Sequence, residues 1–205
     1  MAENSLYYPA SLEDFRRARR RAAMQDILAT VTGQSINLLS LADIRRKFRL
    51  EGGNSLGVRD VPLDAIVGSV GRYHDFNRNF LPRRDNNSER WASVKAAALE
   101  SSGLPPVELY KIGEAYFVVD GNHRVSVAKE LGAPGIEAYV TEFRAKVPLA
   151  PTDTPDDIII KAEYADFLEK TRLDHILPGA NFQMTTPGRY WVLEMQIAAY
   201  HEILN

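Results

Sequence analysis

The chain has no cysteine, no long apolar run and a formal net charge of only -2. Each absence removes a class of function. Without thiols there is no disulfide framework, no Cys-ligated zinc, no iron–sulfur cluster and no thiol nucleophile. No segment approaches the roughly 20 apolar residues that a bilayer span needs. The opening MAENSLYYPASLEDF also lacks the apolar stretch of a signal peptide. The expected location is therefore the cytoplasm, with no membrane partner. The histidines, His74, His123, His175 and His201, stand at no metal-ligand spacing. No G-x-S-x-G, Walker A or G-x-G-x-x-G pattern occurs, which disfavours serine hydrolases, P-loop NTPases and Rossmann dehydrogenases.

What is present is a globular composition, 205 residues with 45% hydrophobic and 25% charged side chains, read as one domain with appendages. The balance of 25 Lys+Arg against 27 Asp+Glu hides an asymmetry. Residues 1–50 hold 9 basic and 5 acidic residues, and the rest hold 16 and 22. From Ser11 the apolar residues Leu12, Phe15, Ala18, Ala22, Ile27 and Val31 recur near helical spacing, with Gly33 as the stop. Arg16, Arg17, Arg19, Arg20 and Arg21 cover much of that helix. A second short helix is expected from Leu41 to Phe48, and the polar EGGNSL after it reads as a flexible linker.

The middle of the chain alternates element types. VPLDAIVG is a short apolar segment, followed by an aperiodic loop of about 19 residues, SVGRYHDFNRNFLPRRDNN, long enough to suggest function or mobility. Ser88 to Leu99 reads as a helix. VELYKIGEAYFVVDG reads as a hairpin turning at Gly113, and a helix from His123 to Leu131 and the strand IEAYVTEF complete the set. The fold class is α+β. A Pro-rich spacer, PLAPTDTP, leads to two helices, about Asp156 to Thr171 and Arg189 to Ile203, in a tail with 4 basic and 9 acidic residues. The expected organisation is a basic helical segment over 1–56, a core over 57–147 and an acidic helical tail over 148–205.

Asp120-Gly121-Asn122-His123-Arg124 sits where a strand ends and a helix begins. A helix start leaves N–H groups without intrahelical partners and carries partial positive charge, so it suits phosphate. Gly121 allows close backbone approach, and Arg124 offers a planar fork of donors. His123 can donate to phosphate or move a proton, and Asp120 can orient a hydroxyl or hold Mg²⁺. The plainer reading is a common Asp-Gly turn with Asn122 as N-cap and Arg124 paired to Glu130 or another carboxylate.

The segments VPLDAIV, PPVELYKIGEAYFVVDGNHRVSVAKELG and IEAYV resemble the ParB/sulfiredoxin superfamily over about residues 57 to 145. There a strand, a G-x-[HR]-R turn and a helix start form a nucleotide-phosphate pocket. The resemblance implies a small ParB/sulfiredoxin-like mixed sheet with helices, flanked here by N-terminal and C-terminal helical segments. The whole chain, including GSVGRYHDFNRNFLPRRD and AEYADFLEKTRLD, is similar to a bacterial family carrying this core, and that likeness implies no activity. Sulfiredoxin needs a Cys in its turn, where this chain has Asn122, so sulfinic-acid reduction is excluded. Chromosome-partitioning ParB proteins carry paired arginines there and a helix-turn-helix region that the acidic tail does not replace. The turn is similar to that of the archaeal free-serine kinases, Asp-Gly-His-His-Arg, matching at Asp120, Gly121, His123 and Arg124 and departing at Asn122.

That likeness implies a nucleotide or other phosphorylated small molecule as ligand, ATP, ADP or CTP with Mg²⁺ at Asp120, and phosphotransfer or nucleotide hydrolysis as chemistry. Asp120, His123 and Asp75 are the candidate catalytic groups. Gly121, Asn122, His123 and Arg124 would hold phosphate, and Arg72, Arg78, Arg83 and Arg84 would close over it as a lid. The alternative reading is a DNA-associated regulator or nuclease-like protein contacting the backbone through the arginine-rich helix. The plainer reading of that helix is packing against the acidic tail, within the chain or across a homodimer. Trp91 and Trp191 are expected in the core.

Overall fold

The structure, a computed structural model, describes residues 5–48, 50–100 and 103–204. Its strands are β1 (Leu39–Ser40), β2 (Glu51–Pro62), β3 (Ile66–Ser69), β4 (Val107–Ile112), β5 (Ala115–Asp120) and β6 (Gly135–Arg144). They form one mixed sheet in the order β1-β3-β5-β4-β6-β2. Its helices are α1 (Tyr8–Thr32), α2 (Leu41–Phe48), α3 (Ser88–Leu99), α4 (Asn122–Glu130), α5 (Pro155–Thr171), α6 (Leu173–Ile176) and α7 (Tyr190–Leu204). The fold is α+β, and no described helix is long and apolar enough to cross a membrane.

Period-2 alternation sets the layers. Along β5, Ala115 and Phe117 join one core with Leu41, Ile44 and Phe48 of α2 and Ile158 of α5. Tyr116 and Val118 face the opposite core, where Val125 and Ala128 of α4 meet Ile136, Ala138 and Val140 of β6. The sheet is therefore covered on both faces near β5. The hairpin at Gly113 is present, with Ile112 opposite Ala115.

Two expectations are corrected. EGGNSL is not a linker: it is the first half of β2, paired antiparallel with β6. Gly52, Gly53 and Gly57 take positive φ, beside register shifts at Gly52/Asn54 and Ser55/Gly57. Here glycine marks bulges in an edge strand rather than a free joint. Trp191 is not in the core but 57% exposed. Tyr190 takes the buried place against Tyr164 and Phe167, and the next residue on a helix points roughly 100° away. Because α7 is apolar on most sides, spacing alone does not choose its buried face.

The arginine-rich α1 packs on α3, not on the acidic tail. Phe15 meets Trp91 edge-on at 5.7 Å, and Ala18 and Ala22 are fully buried. Lys95 of α3 ties the pair together through Asp14 at 2.6 Å. The loop after β3 carries no regular element before the single 3-10 turn at Asp85–Asn87, as its lack of period implies. It is nonetheless pinned: Phe76, Phe80 and Asn77 are buried, and Asn77 donates to Gln25 of α1 at 2.8 Å.

Gly68 is the tightest point of the sheet. A Cβ there would lie 2.4 Å from the Leu39 carbonyl oxygen and 2.5 Å from the Phe117 ring. Gly68→Ala is expected to lower unfolding stability by about 1–3 kcal/mol in urea titration. Gly71→Ala, which points into open space, should leave the midpoint unchanged; equal behaviour of the two variants would refute the packing argument.

Candidate functional site

β3 and β5 run parallel, with Ser69 beside Val118, so their C-terminal ends lie side by side. The loop leaving β3 thus starts next to the turn leaving β5, a crevice of the kind where α/β sheets place ligands. Val70 N–H still bonds the Val118 carbonyl at 2.9 Å, which holds the first residues of the loop against that turn.

At the turn, Gly121 has φ 108, and no side chain caps the start of α4. A Cβ at Gly121 would lie 2.5 Å from Val107 Cγ1, so glycine is required by conformation and by space. The first intrahelical bond runs from Val125 N–H to the Gly121 carbonyl, so the amides of residues 122–124 have no intrahelical acceptor. Arg72, Arg90, Val94, Asp120, Gly121, Asn122, His123 and Arg124 line a pocket of about 60 Å³ there.

Larger clefts exist, including one of about 640 Å³ beside Arg78. Chemistry rather than size singles out the small pocket. His123 is 5% exposed and Asn122 7%. Both ring nitrogens of His123 and Oδ1 of Asn122 are buried without a partner among the described residues. A buried polar atom left unpaired costs about 1–3 kcal/mol, and here three such atoms gather at one helix start.

His123 packs edge-on against Phe76 at 5.3 Å. Burial, then the charges of Arg90 and Arg72, push its pKa down to about 4, with Asp75 pulling the other way. The imidazole is neutral at pH 7, offering one donor and one acceptor. Arg124 is already engaged: it donates to the carbonyls of Pro105 and Pro106 at 3.1 and 2.6 Å and to Asp120. It braces the turn, and the carboxylate it pairs with is Asp120; Glu130 pairs with Arg21.

The loop arginines divide. Arg72 lines the pocket, 3.6 Å from Asp75. Arg84 stands behind it, 3.4 Å from the same carboxylate. Arg78 and Arg83 turn away. Arg78 donates to the carbonyls of Pro151 and Asp153, and Arg83 binds Asp26 and Asn37. The expected four-arginine lid is therefore not assembled, because Phe76 and Phe80 bury the middle of the loop and aim its later arginines at α1 and the start of the tail. His74 is exposed and its ring lies tilted at 50° against that of Tyr73, 4.3 Å between centroids.

Arg90 is the residue that sequence reasoning missed. Burial of Trp91 and Lys95 fixes the roll of α3 and sets Arg90 and Val94, one turn apart, on its flank beside the pocket. Arg90 forms no ion pair among the described residues.

The arginines of α1 are taken up in ion pairs, Arg16 and Arg20 with Glu13 and Arg17 with Asp14 on the same helix, Arg19 with Asp85 and Arg21 with Glu130 on other elements. No group of three or more His, Asp or Glu residues suited to a metal occurs among the described residues. Asp120, 63% exposed and paired to Arg124 through one oxygen, has its other oxygen available to share a Mg²⁺ with ligand and water.

No protein-family model matches the chain, and no curated protein matches it. Among solved structures the chain is similar to sulfiredoxin from Arabidopsis thaliana, with 16% identity over 42% of this chain and 86% of that one and a TM-score of 0.33. A likeness at that level leaves function to be argued from the site itself.

The His123 pKa near 4 lies below the 6.5 of an unperturbed histidine. Between those values the unfolded chain takes up a proton that the folded chain does not, so stability falls as pH drops through that window and levels off below it. The loss should reach up to about 3 kcal/mol. Urea unfolding at pH 7 and pH 4.5 checks this against His123→Gln, which should lose that part of the slope; identical pH dependence in both proteins would sink the assignment.

Proposed function

We propose that the protein binds the phosphoryl group of a nucleotide or another phosphorylated small molecule at the start of α4. The observation that carries the reading is the gathering of buried, unpartnered polar atoms on His123 and Asn122 beside the uncapped helix end. A bound phosphoryl group would accept from the amides of residues 122–124 and from one nitrogen of His123, recovering part of their desolvation cost. Arg90 and Arg72 supply the charge, and Arg124 holds the turn in shape. Gly121 lets a phosphate oxygen approach the backbone.

Phosphoryl transfer is the reaction class these residues fit, because it depends mainly on positioned cations and one base. His123 is the base of this proposal, since the Asp120 carboxylate is held by Arg124 and that of Asp75 by Arg72 and Arg84. Neutral imidazole would take the proton of an attacking hydroxyl or water as that oxygen bonds to phosphorus, while the P–O bond to the leaving oxygen breaks and that oxygen takes a proton from water. Mg²⁺, where used, would be held by Asp120 together with phosphate oxygens, neutralising charge on the transferring group.

Thermal denaturation with inorganic phosphate and AMP tests the binding. Millimolar ligand should raise Tm by mass action in the wild-type protein. Arg90→Gln and Gly121→Ala should each weaken binding by about tenfold or more, while Arg46→Gln on α2, outside the pocket, should leave it intact. Absence of any shift in the wild type, or shifts equal in Arg90→Gln, would refute the proposal.

A further inference from the structure

Resting on that phosphate-binding reading, the geometry points to a ligand with a single phosphoryl group, and we infer that the site is built for a phosphomonoester rather than a nucleoside triphosphate. Charge is the first argument. The lining side chains are the cations Arg72, Arg90 and Arg124 and the anion Asp120, a formal excess of about two positive charges over the neutral His123 at pH 7. A phosphomonoester carries about -1.5 to -2 at that pH and matches this excess. A free triphosphate carries about twice as much charge and would call for further cations.

The structure shows where those cations have gone. Arg78 and Arg83 satisfy carbonyls and carboxylates elsewhere, Arg78 at Pro151 and Asp153 and Arg83 at Asp26 and Asn37. Recruiting Arg78 would leave the carbonyls of Pro151 and Asp153 without their donor. Phe76 and Phe80, almost wholly buried, would have to leave the core for the loop to swing. The lid that a polyphosphate needs is thus locked into the fold.

Space is the second argument. A Mg²⁺-bound triphosphate has about the same net charge as a phosphomonoester, so charge alone does not separate them. Its three phosphoryl groups need a track, whereas the pocket is about 60 Å³ with one helix start at its floor. The unpartnered atoms of His123 and Asn122 are clustered at that floor rather than spread along a groove. One tetrahedral group can accept from the protonated nitrogen of His123 and from the amides of the helix start, with the organic part left outside the pocket at its mouth.

Isothermal titration of the full-length protein with methyl phosphate, ribose 5-phosphate, AMP, ADP, ATP and CTP, each with EDTA and with Mg²⁺, tests the inference. The monophosphates should bind at least about tenfold more tightly than ATP or CTP in both conditions, and Arg90→Gln should weaken the monophosphates. Equal or tighter binding of ATP or CTP, with or without Mg²⁺, overturns the phosphomonoester inference and leaves the phosphate site standing. Binding of none of the six overturns both. Nucleotide binding that Arg90→Gln and His123→Gln leave unchanged also overturns both, because it would lie elsewhere.

Discussion

The structure turns on the few atoms around Gly121. β5 ends at Asp120, the chain reverses through a backbone conformation that only glycine holds without strain, and α4 begins with no side chain to cap it. Val107 fills the space where a Cβ would sit, so the turn is fixed by packing as well as by its dihedral angles. Arg124 then locks it from outside, reaching the carbonyls of Pro105 and Pro106 and the carboxylate of Asp120. An arginine at this point of a strand–helix turn reads as a ligand contact, yet most of its donors serve the scaffold.

The sheet brings the rest of the site to that turn. Because β3 and β5 are parallel neighbours, both chains leave the sheet at the same end, and Arg72 arrives opposite the α4 start. The missing side chain at Gly68 leaves room for the Leu39 carbonyl and the Phe117 ring, so the strands can pair closely there. Beyond Arg72 the loop dives inward, exchanging freedom for the burial of Phe76, Phe80 and Asn77. That burial is worth several kcal/mol of apolar transfer. It decides which arginines face solvent, which face carbonyls and which face the pocket.

His123 joins fold and chemistry. Its ring lies against Phe76 from the loop and beside Arg90 from α3 and Arg72. The loop after β3 and α3 thereby make the imidazole neutral, and its nitrogens are left unpaired among the described residues. A neutral, partly unsatisfied imidazole between two arginines gains most from a group that brings both negative charge and hydrogen-bond acceptors.

Local signals carried much of this. The Asp120-Gly121-Asn122-His123-Arg124 turn, the helices at Leu41–Phe48 and Ser88–Leu99 and the hairpin at Gly113 were legible because each depends on neighbours in sequence: caps, turn residues and apolar period. The absence of cysteine likewise excluded sulfur chemistry without any coordinates. The partners of long side chains were not legible. Arg78 and Arg83 look alike in the loop, and only the burial of Phe76 and Phe80 turns them to Pro151 and Asp26 rather than to the pocket. Arg90 carried no motif at all, and it enters the site because Trp91 and Lys95 set the roll of α3. Likewise EGGNSL became strand, and Trp191 faced solvent, through pairing with β6 and through Tyr190 taking the inner position. Sequence by itself determined the strand–helix turn at Gly121; tertiary packing alone decided which cations stand around it, since a flexible charged side chain takes its partner from whatever the fold places nearest.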